Sequence, residues 1–266
     1  MDFSLRRING ENIHYAESET DSDIQLVFTP GSFNPDLWNN QLRYFSKKYK
    51  TIAFQPTESY RDFEGEKGCL KAVLEQEKIQ NAVLVSNTVG NSVVSSVSDH
   101  ESVQTTVMTG FGSRSVPGGK IYRTFWSMAK RSPKILRKSL FSQYTDYRVL
   151  KEFMRDVDVP DYRDIESFMN QDMVEGDQLS LIINADEDRF SKIEEARKMN
   201  ARLSMINRAG TFSFYEKPQD YNKALNDFLD IVEEKVRKDK IMRSAEENRS
   251  LIEFDDGEKK ELEVPK

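Results

Sequence analysis

The hydrophobic positions in the first half of the chain alternate between short apolar runs and longer runs with helical spacing. Short runs rich in β-branched residues occur at 24–28 (IQLVF), 50–54 (KTIAF), 82–85 (AVLV) and 103–108 (VQTTVM). Between them, at 37–49 and 68–78, apolar residues recur with helical periodicity. Strands that alternate with helices are typical of a parallel sheet covered by helices, so we predict an α/β fold.

The pattern changes after residue 111, where strand-like runs stop until 179–184. Between 120 and 177 helical patterns follow one another, which predicts a small helical cap inserted into the sheet domain. Strands return at 179–184 and 201–207, separated by a helix at 191–199, and an amphipathic helix follows at 218–236. We therefore expect a core of residues 1–111 and 178–238, a cap of 112–177, and a charged, flexible tail of 239–266.

The composition favours a single soluble domain. A length of 266 residues with 37% hydrophobic side chains is sufficient for one large domain with a buried core. The mean hydropathy is −0.69, and no apolar run approaches the roughly 20 residues of a transmembrane helix, so none is expected. No apolar run follows the first arginines, so we expect no secretory signal. The single cysteine, Cys69, excludes an internal disulfide and cysteine-based metal sites, and it favours a cytoplasmic location.

The net charge of −6 is unevenly distributed along the chain. Residues 112–151 include one acidic residue, Asp146, and ten basic residues: Arg114, Lys120, Arg123, Lys130, Arg131, Lys134, Arg137, Lys138, Arg148 and Lys151. This segment carries +9 and the rest of the chain −15, which favours contact between the cap and an anionic lipid, a nucleic acid or an acidic protein. A cap that buries an apolar face and exposes a solvated polar one gives the same pattern, so both interpretations stay open.

The segment VLVSNTVGNSVV combines a buried strand, a turn of small residues and a helix. Such a strained turn exposes a nucleophilic hydroxyl or thiol above the end of a sheet, and small flanking residues relieve the crowding. Thr88 occupies the nucleophile position, with Ser86 and Gly90 as its small flanks. The backbone N–H of Val89 would then stabilise a developing oxyanion, with a second donor at Ser32 in the loop after strand 24–28.

The order of these motifs resembles that of the α/β-hydrolase family, over most of the chain outside the cap and tail. The family's opening loop is similar to LVFTPGSFNPDLW, with Pro30 and Gly31 where His-Gly is usual. Its acid-bearing loop is similar to LIINADEDRF, which gives Asp188 the acid position. Its closing segment is similar to NRAGTFSFYE, with Thr211 in the place of the histidine. The resemblance implies an esterase- or lipase-like architecture: a three-layer α/β-hydrolase sandwich with a mostly parallel central sheet and an inserted helical cap.

The two threonines bear directly on activity, because a serine-type triad needs a base that takes the proton of the nucleophile near neutral pH. Thr211 cannot act as that base, and the two histidines, His14 and His100, lie in segments that resemble parts remote from the catalytic face. Thr88 could still act as a nucleophile, although its β-methyl group crowds the turn and no activating base is evident. Asp188 could cap the next helix or bind Thr211. Together with its acidic neighbours 186–187 it could also bind a cation, but adjacent acidic residues in a loop are more often solvated.

These observations leave three functions open. The first is a pseudoenzyme that binds a small apolar or ester-like ligand between cap and core without hydrolysing it. The second is a carboxylic-ester or amide hydrolase with Thr88 as nucleophile, Asp188 as acid and an unidentified base. The third is an interaction module that uses the basic cap. The sequence predicts no cofactor and no metal site, and it does not identify the ligand or the oligomeric state.

Overall fold

The computed structural model describes residues 4–8, 11–56, 61–111, 119–171 and 178–261. These residues form one sheet of eight strands. The strands are β1 (Ser4–Ile8), β2 (Glu11–Glu17), β3 (Gln25–Thr29), β4 (Lys50–Pro56), β5 (Ala82–Ser86), β6 (Val103–Thr109), β7 (Ser180–Ala185) and β8 (Ala201–Ile206). The strands predicted from the sequence are all present, and their ends differ from the prediction by at most two residues.

The sheet is mostly parallel, as predicted. Its order is β1-β2-β4-β3-β5-β6-β7-β8; β2 pairs antiparallel with β1 and β4, and the other neighbouring pairs are parallel. Strand β3 lies between β4 and β5, so that Phe28 pairs with Ala53 on one side and with Val85 on the other. Strand β5 therefore lies near the middle of the sheet and is buried along its whole length. The loops that follow β3, β5, β6 and β7 all emerge at the carboxyl edge of the sheet, where sites form in such folds.

Helices cover both sides of the sheet. The described residues form α1 (Asn39–Phe45), α2 (Phe63–Gln76), α3 (Asn91–Ser96), α4 (Gly119–Arg131), α5 (Pro133–Leu140), α6 (Tyr147–Asp156), α7 (Tyr162–Met169), α8 (Ile193–Ala196), α9 (Ser213–Glu216) and α10 (Pro218–Glu261). Helices α1, α9 and α10 contact one another, as do α2 and α3. This three-layer arrangement confirms the predicted fold class.

Trp38 connects the loop after β3 to the C-terminal part of the chain. It lies in a short 3-10 helix (Pro35–Trp38) and is fully buried. Its indole Nε1 donates a hydrogen bond to the carbonyl oxygen of Thr29 at 3.1 Å. Its ring stacks on Phe214 with a centroid distance of 4.2 Å. Because large aromatic side chains contribute much of the energy of a core, this contact fixes the loop after β3 relative to the segment around α9.

Helices α4 to α7 occupy the chain between β6 and β7, where the cap was predicted. They pack on the segment before α9 through aromatic side chains. Phe153 of α6 lies 4.8 Å from Phe212 and 5.0 Å from Phe141, measured between ring centroids. The cap therefore contacts the segment that carries Thr211. The division into core, cap and tail at the boundaries given above stays a prediction.

Several helices differ in length from the prediction, α10 most of all. Helix α10 continues to Glu261 instead of ending at 236, because the residues after Val236 are mostly Lys, Arg, Glu, Met and Ala, which favour helix without any buried partner. Residues 262–266 of the predicted flexible tail lie outside the described residues, as does Arg114 of the basic segment. Helix α8 spans only Ile193–Ala196 of the predicted 191–199. No helix of the described residues is long and apolar enough to cross a membrane.

Candidate functional site in the loops after β3, β5, β6 and β7

The turn between β5 and α3 is held tightly against the loop after β3. The Asn87 side chain donates to the carbonyl oxygen of Pro30 at 2.6 Å and accepts from the backbone N–H of Gly90 at 2.9 Å. Gly31 has φ +61°, and a Cβ atom there would overlap the nitrogen of Gly90. The close approach of the two loops thus requires glycine at this position. Ser86 lies beneath the turn, where its hydroxyl donates to the Asn91 side chain at 2.7 Å.

Thr88 lies at the top of this turn, in the predicted nucleophile position. Its hydroxyl forms no hydrogen bond with any described residue, and it borders a cavity. Gly110, at the end of β6, faces it with φ +65°. A Cβ atom at Gly110 would overlap Thr88 Oγ1 and would lie 3.3 Å from Asp188 Oδ2. Thr88 and Asp188 therefore approach the same point from two sides.

Asp188 and Thr211 form a direct hydrogen bond. Thr211 Oγ1 donates to Asp188 Oδ1 at 2.8 Å, and the same oxygen accepts from the backbone N–H of Phe190 at 3.0 Å. Asp188 Oδ2 is buried and has no hydrogen-bond partner among the described residues. Of the two roles considered for Asp188, the structure has the contact with Thr211, whereas α8 is preceded by Lys192. The fold thus brings Thr88, Asp188 and Thr211 together.

Neither histidine lies in this group. His14 is exposed on β2 and pairs with Leu5 and Gln55 of the neighbouring strands. His100 follows α3, and its Nδ1 accepts a hydrogen bond from the backbone N–H of Ser102 at 3.2 Å. Both are outside the lining of the cavity that Thr88 borders.

The two predicted oxyanion donors differ in their surroundings. The Ser32 N–H donates to Glu66 Oε2 at 2.9 Å, and the Gly31 N–H donates to Glu66 Oε1 at 3.0 Å. Ser32 has φ +71°, so its backbone adopts a left-handed conformation that is uncommon for residues other than glycine. The Val89 N–H forms no backbone hydrogen bond with any described residue. One predicted donor is therefore engaged by a side chain of this same chain.

Glu66 is fully buried. Burial raises the pKa of its carboxyl group to about 7, and the two backbone N–H groups oppose that rise by stabilising the charged form. At neutral pH the carboxyl group is thus close to its midpoint of titration. It lies where the backbone of the loop presents two N–H groups to an anion.

A cavity of about 310 Å³ separates the cap from these loops. The core residues that line it include Thr88, Val89 and Thr211. The cap contributes Ile121, Tyr122, Phe125, Trp126, Ser139, Leu140, Ile165 and Met169. Apart from a few hydroxyl and amide groups the lining is apolar, as in most sites for small organic ligands.

Comparisons with known proteins give a fold. No family model and no curated protein matches the sequence. Among solved structures, an esterase from Thermogutta terrifontis has a TM-score of 0.68 at 12% identity, over 87% of this chain and 99% of that chain. The enol-lactonase from Burkholderia xenovorans LB400 has a TM-score of 0.66 at 14% identity, over 85% and 99%. An α/β-hydrolase fold protein from Chitinophaga pinensis has a TM-score of 0.66 at 14% identity, over 86% and 97%.

The chain has the α/β-hydrolase fold. Its mostly parallel sheet of eight strands with helices on both sides agrees with the resemblance seen in the sequence. Because the identities are low, the likeness to these structures shows the fold alone, and activity depends on the residues of the site.

Sequence reasoning did not identify Glu66 as a residue of this α/β-hydrolase site. The predicted helix began at 68, whereas α2 begins at Phe63. Within α2, Glu66 stands four positions before Leu70 and seven before Val73, so it shares the buried face of the helix. An acidic residue at a core position was the available signal, because such residues are rarely buried without partners.

A second buried carboxylate positions Thr211. Glu216 accepts a hydrogen bond from the Gly210 N–H at 2.8 Å and one from the Ser142 N–H at 3.1 Å, and it also binds the Thr145 hydroxyl. Burial raises the pKa of this group above its ordinary value. Because Ser142 and Thr145 follow α5, Glu216 links the cap to the residue just before Thr211.

The acidic residues of the loop after β7 bind different partners. Glu187 accepts from the Gln143 N–H at 3.0 Å, Asp186 accepts from the Ala209 N–H at 3.4 Å, and Asp188 binds Thr211. Among the described residues, no group of three or more histidine, cysteine, aspartate or glutamate side chains could hold a metal ion.

Proposed function

We propose that this protein binds a small apolar or ester-like ligand in the cavity between cap and core and does not hydrolyse it. The observation that carries this proposal is the hydrogen bond from Thr211 to Asp188. In a serine-type triad the acid orients a histidine, and the histidine takes the proton of the nucleophile. A threonine hydroxyl has no basicity near neutral pH, so the acid here orients a group that cannot accept that proton.

The environment of the predicted oxyanion donors supports the same proposal. An acyl-transfer transition state needs N–H groups that are directed at the developing negative charge. The Ser32 N–H is bound by Glu66, a carboxylate of the protein itself. A substrate carbonyl would have to displace a buried hydrogen bond before it could be activated.

The cavity supports the ligand class. Its aromatic and aliphatic lining favours an apolar body, and the hydroxyl groups of Thr88 and Ser139 can bind one polar group of a ligand. An intact ester, which has weak hydrogen-bond acceptors and apolar ends, meets both conditions.

Ligand binding is tested by calorimetry with methyl octanoate on the intact protein. Leu140→Trp places a larger side chain in the cavity, and the overpacking is expected to weaken binding about tenfold or more. Leu203→Trp is the matched control, because Leu203 is 37% exposed on β8 and does not line the cavity. Equal weakening by both substitutions, or the absence of binding to the unaltered protein, would refute the proposal.

The alternative function is a carboxylic-ester or amide hydrolase with Thr88 as nucleophile and an unidentified base. The observation that favours it concerns Thr88 and Asp188: among the described residues, neither the Thr88 hydroxyl nor Asp188 Oδ2 has a hydrogen-bond partner, and both lie near Gly110. This alternative requires ester turnover that is lost in Thr88→Ala. The third candidate, an anionic partner at the basic cap, rests on different residues, those of α4 and α5.

A further inference from the structure

The exposed side chains of α4 and α5, which we term the cap surface, carry an excess of positive charge. Residues 119–140 contain seven basic and no acidic side chains. Arg123 lies 3.9 Å from Asp161, a long contact between two exposed groups. Among the described residues, Lys120, Lys130 and Arg131 form no ion pair. Their charge is available to an external anionic partner, because exposed charges of opposite sign attract one another over a distance of about a Debye length.

Apolar side chains are also exposed on α4, the helix that carries Lys120, Lys130 and Arg131. Ile121 is 63% exposed and Met128 is 46% exposed. They are seven residues apart, so they lie on one line along the helix. Lys120 and Arg131 flank this line at its two ends. Large exposed apolar side chains that are bordered by basic ones are typical of a helix that lies in a membrane interface.

The apolar line leads into the cavity. Ile121 is exposed and also lines the cavity, so it stands at the opening. Phe125, one turn further along α4, lines the same cavity and is half-buried. The residues that face outward at Ile121 and Met128 are therefore continuous with the apolar path to Thr88.

We propose that the cap surface docks on an anionic lipid bilayer, with the opening of the cavity facing the membrane. A nucleic acid or an acidic peptide would neutralise the basic side chains but offers no apolar phase for Ile121 and Met128. A bilayer interface takes both groups, because the basic side chains approach the anionic headgroups while the apolar ones enter the acyl boundary. An apolar ligand could then pass between bilayer and cavity without crossing water.

The proposal is tested by co-sedimentation of the full chain with vesicles of equal parts phosphatidylglycerol and phosphatidylcholine. Lys120→Glu/Arg131→Glu is expected to weaken binding about tenfold or more, and binding of the unaltered protein should fall as salt is raised. Lys235→Glu/Arg237→Glu, on exposed positions of α10, makes the same change in net charge and should leave binding unchanged. Pure phosphatidylcholine vesicles should not be bound.

The apolar part of the surface is tested with Met128→Asp, which is expected to weaken vesicle binding about tenfold because the methionine no longer enters the interface. Met242→Asp is its control, because Met242 is 56% exposed on α10, away from the cap. Absence of vesicle binding would overturn the proposal. Binding to a DNA duplex with equal affinity, insensitive to Met128→Asp, would also overturn it in favour of a polyanion. Calorimetry with methyl octanoate in solution reports on the cavity separately, so failure of docking and failure of ligand binding are distinguishable.

Discussion

The polar groups on the core side of the cavity and those on the cap side differ in whether they have partners within the chain. On the core side two groups of the predicted site are bound within the chain, the Ser32 N–H by Glu66 and Asp188 Oδ1 by Thr211. The Thr88 hydroxyl and the Val89 N–H form no hydrogen bond with described residues. On the cap side the basic groups of α4 point outward, and Lys130 and Arg131 form no ion pair with described residues. The comparison teaches that polar groups at the carboxyl edge of an α/β-hydrolase fold can bind one another within the chain. Our proposal of an external partner therefore concerns the cap.

The largest expected effect concerns the carboxylate on the core side. Glu66→Ala leaves the N–H groups of Gly31 and Ser32 buried without an acceptor, and we expect a loss of about 3 kcal/mol or more in the free energy of unfolding. Urea unfolding measures it. Glu75→Ala, on an exposed position of the same helix, should change stability by no more than about 0.5 kcal/mol. Similar small losses in both variants would mean that Glu66 is not a structural partner of the loop.

The next effect is the pH dependence of that group. The pKa of Glu66 is about 7 in the folded state against an ordinary value of 4.5, so the folded state binds the proton more tightly than the unfolded state. Its contribution to stability is therefore greatest below pH 4.5 and is lost as pH rises to about 7, by about 3 kcal/mol in total. Unfolding of the unaltered protein and of Glu66→Gln at pH 5 and pH 7.5 isolates this contribution. A difference between the two that does not depend on pH would contradict it.

A smaller effect tests how closely Thr88 and Asp188 approach. Gly110→Ala requires an alanine at φ +65° and a methyl group that overlaps Thr88 Oγ1, so we expect a loss of about 1 to 2 kcal/mol. Gly68→Ala is the control with the opposite sign. Gly68 lies in α2 with nothing within 4 Å of its added Cβ, and alanine there should stabilise by about 0.5 to 1 kcal/mol. A neutral Gly110→Ala would mean that the loops after β5 and β6 are not in close contact.

Much of the fold could be predicted from the sequence because each buried strand has its hydrophobic pattern within one short segment. The run AVLV, for example, is buried along its length as β5, and the turn after it holds Thr88 where the motif predicts. The contact between Asp188 and Thr211 was one of two roles considered, because the resemblance placed both residues at the same site. Each of these depends on a short segment and its order along the chain.

Glu66 and Glu216 could not be predicted in the same way. Their partners are backbone N–H groups of loops, up to 74 residues away in the case of Ser142, and backbone groups leave no mark in the side-chain pattern. The end of α10 differs for another reason. Residues after Val236 have helix propensity but no apolar periodicity, so a prediction based on burial ended the helix too early.

The central claim, binding without hydrolysis, is tested most directly by the turnover of p-nitrophenyl butyrate. The account predicts that the unaltered protein and Thr88→Ala release p-nitrophenol at the same rate, equal to that of the control Thr124→Ala on the exposed side of α4. We expect no variant to release p-nitrophenol faster than Thr124→Ala does. Turnover in the unaltered protein and in Thr124→Ala that disappears in Thr88→Ala would contradict the account and make Thr88 a nucleophile.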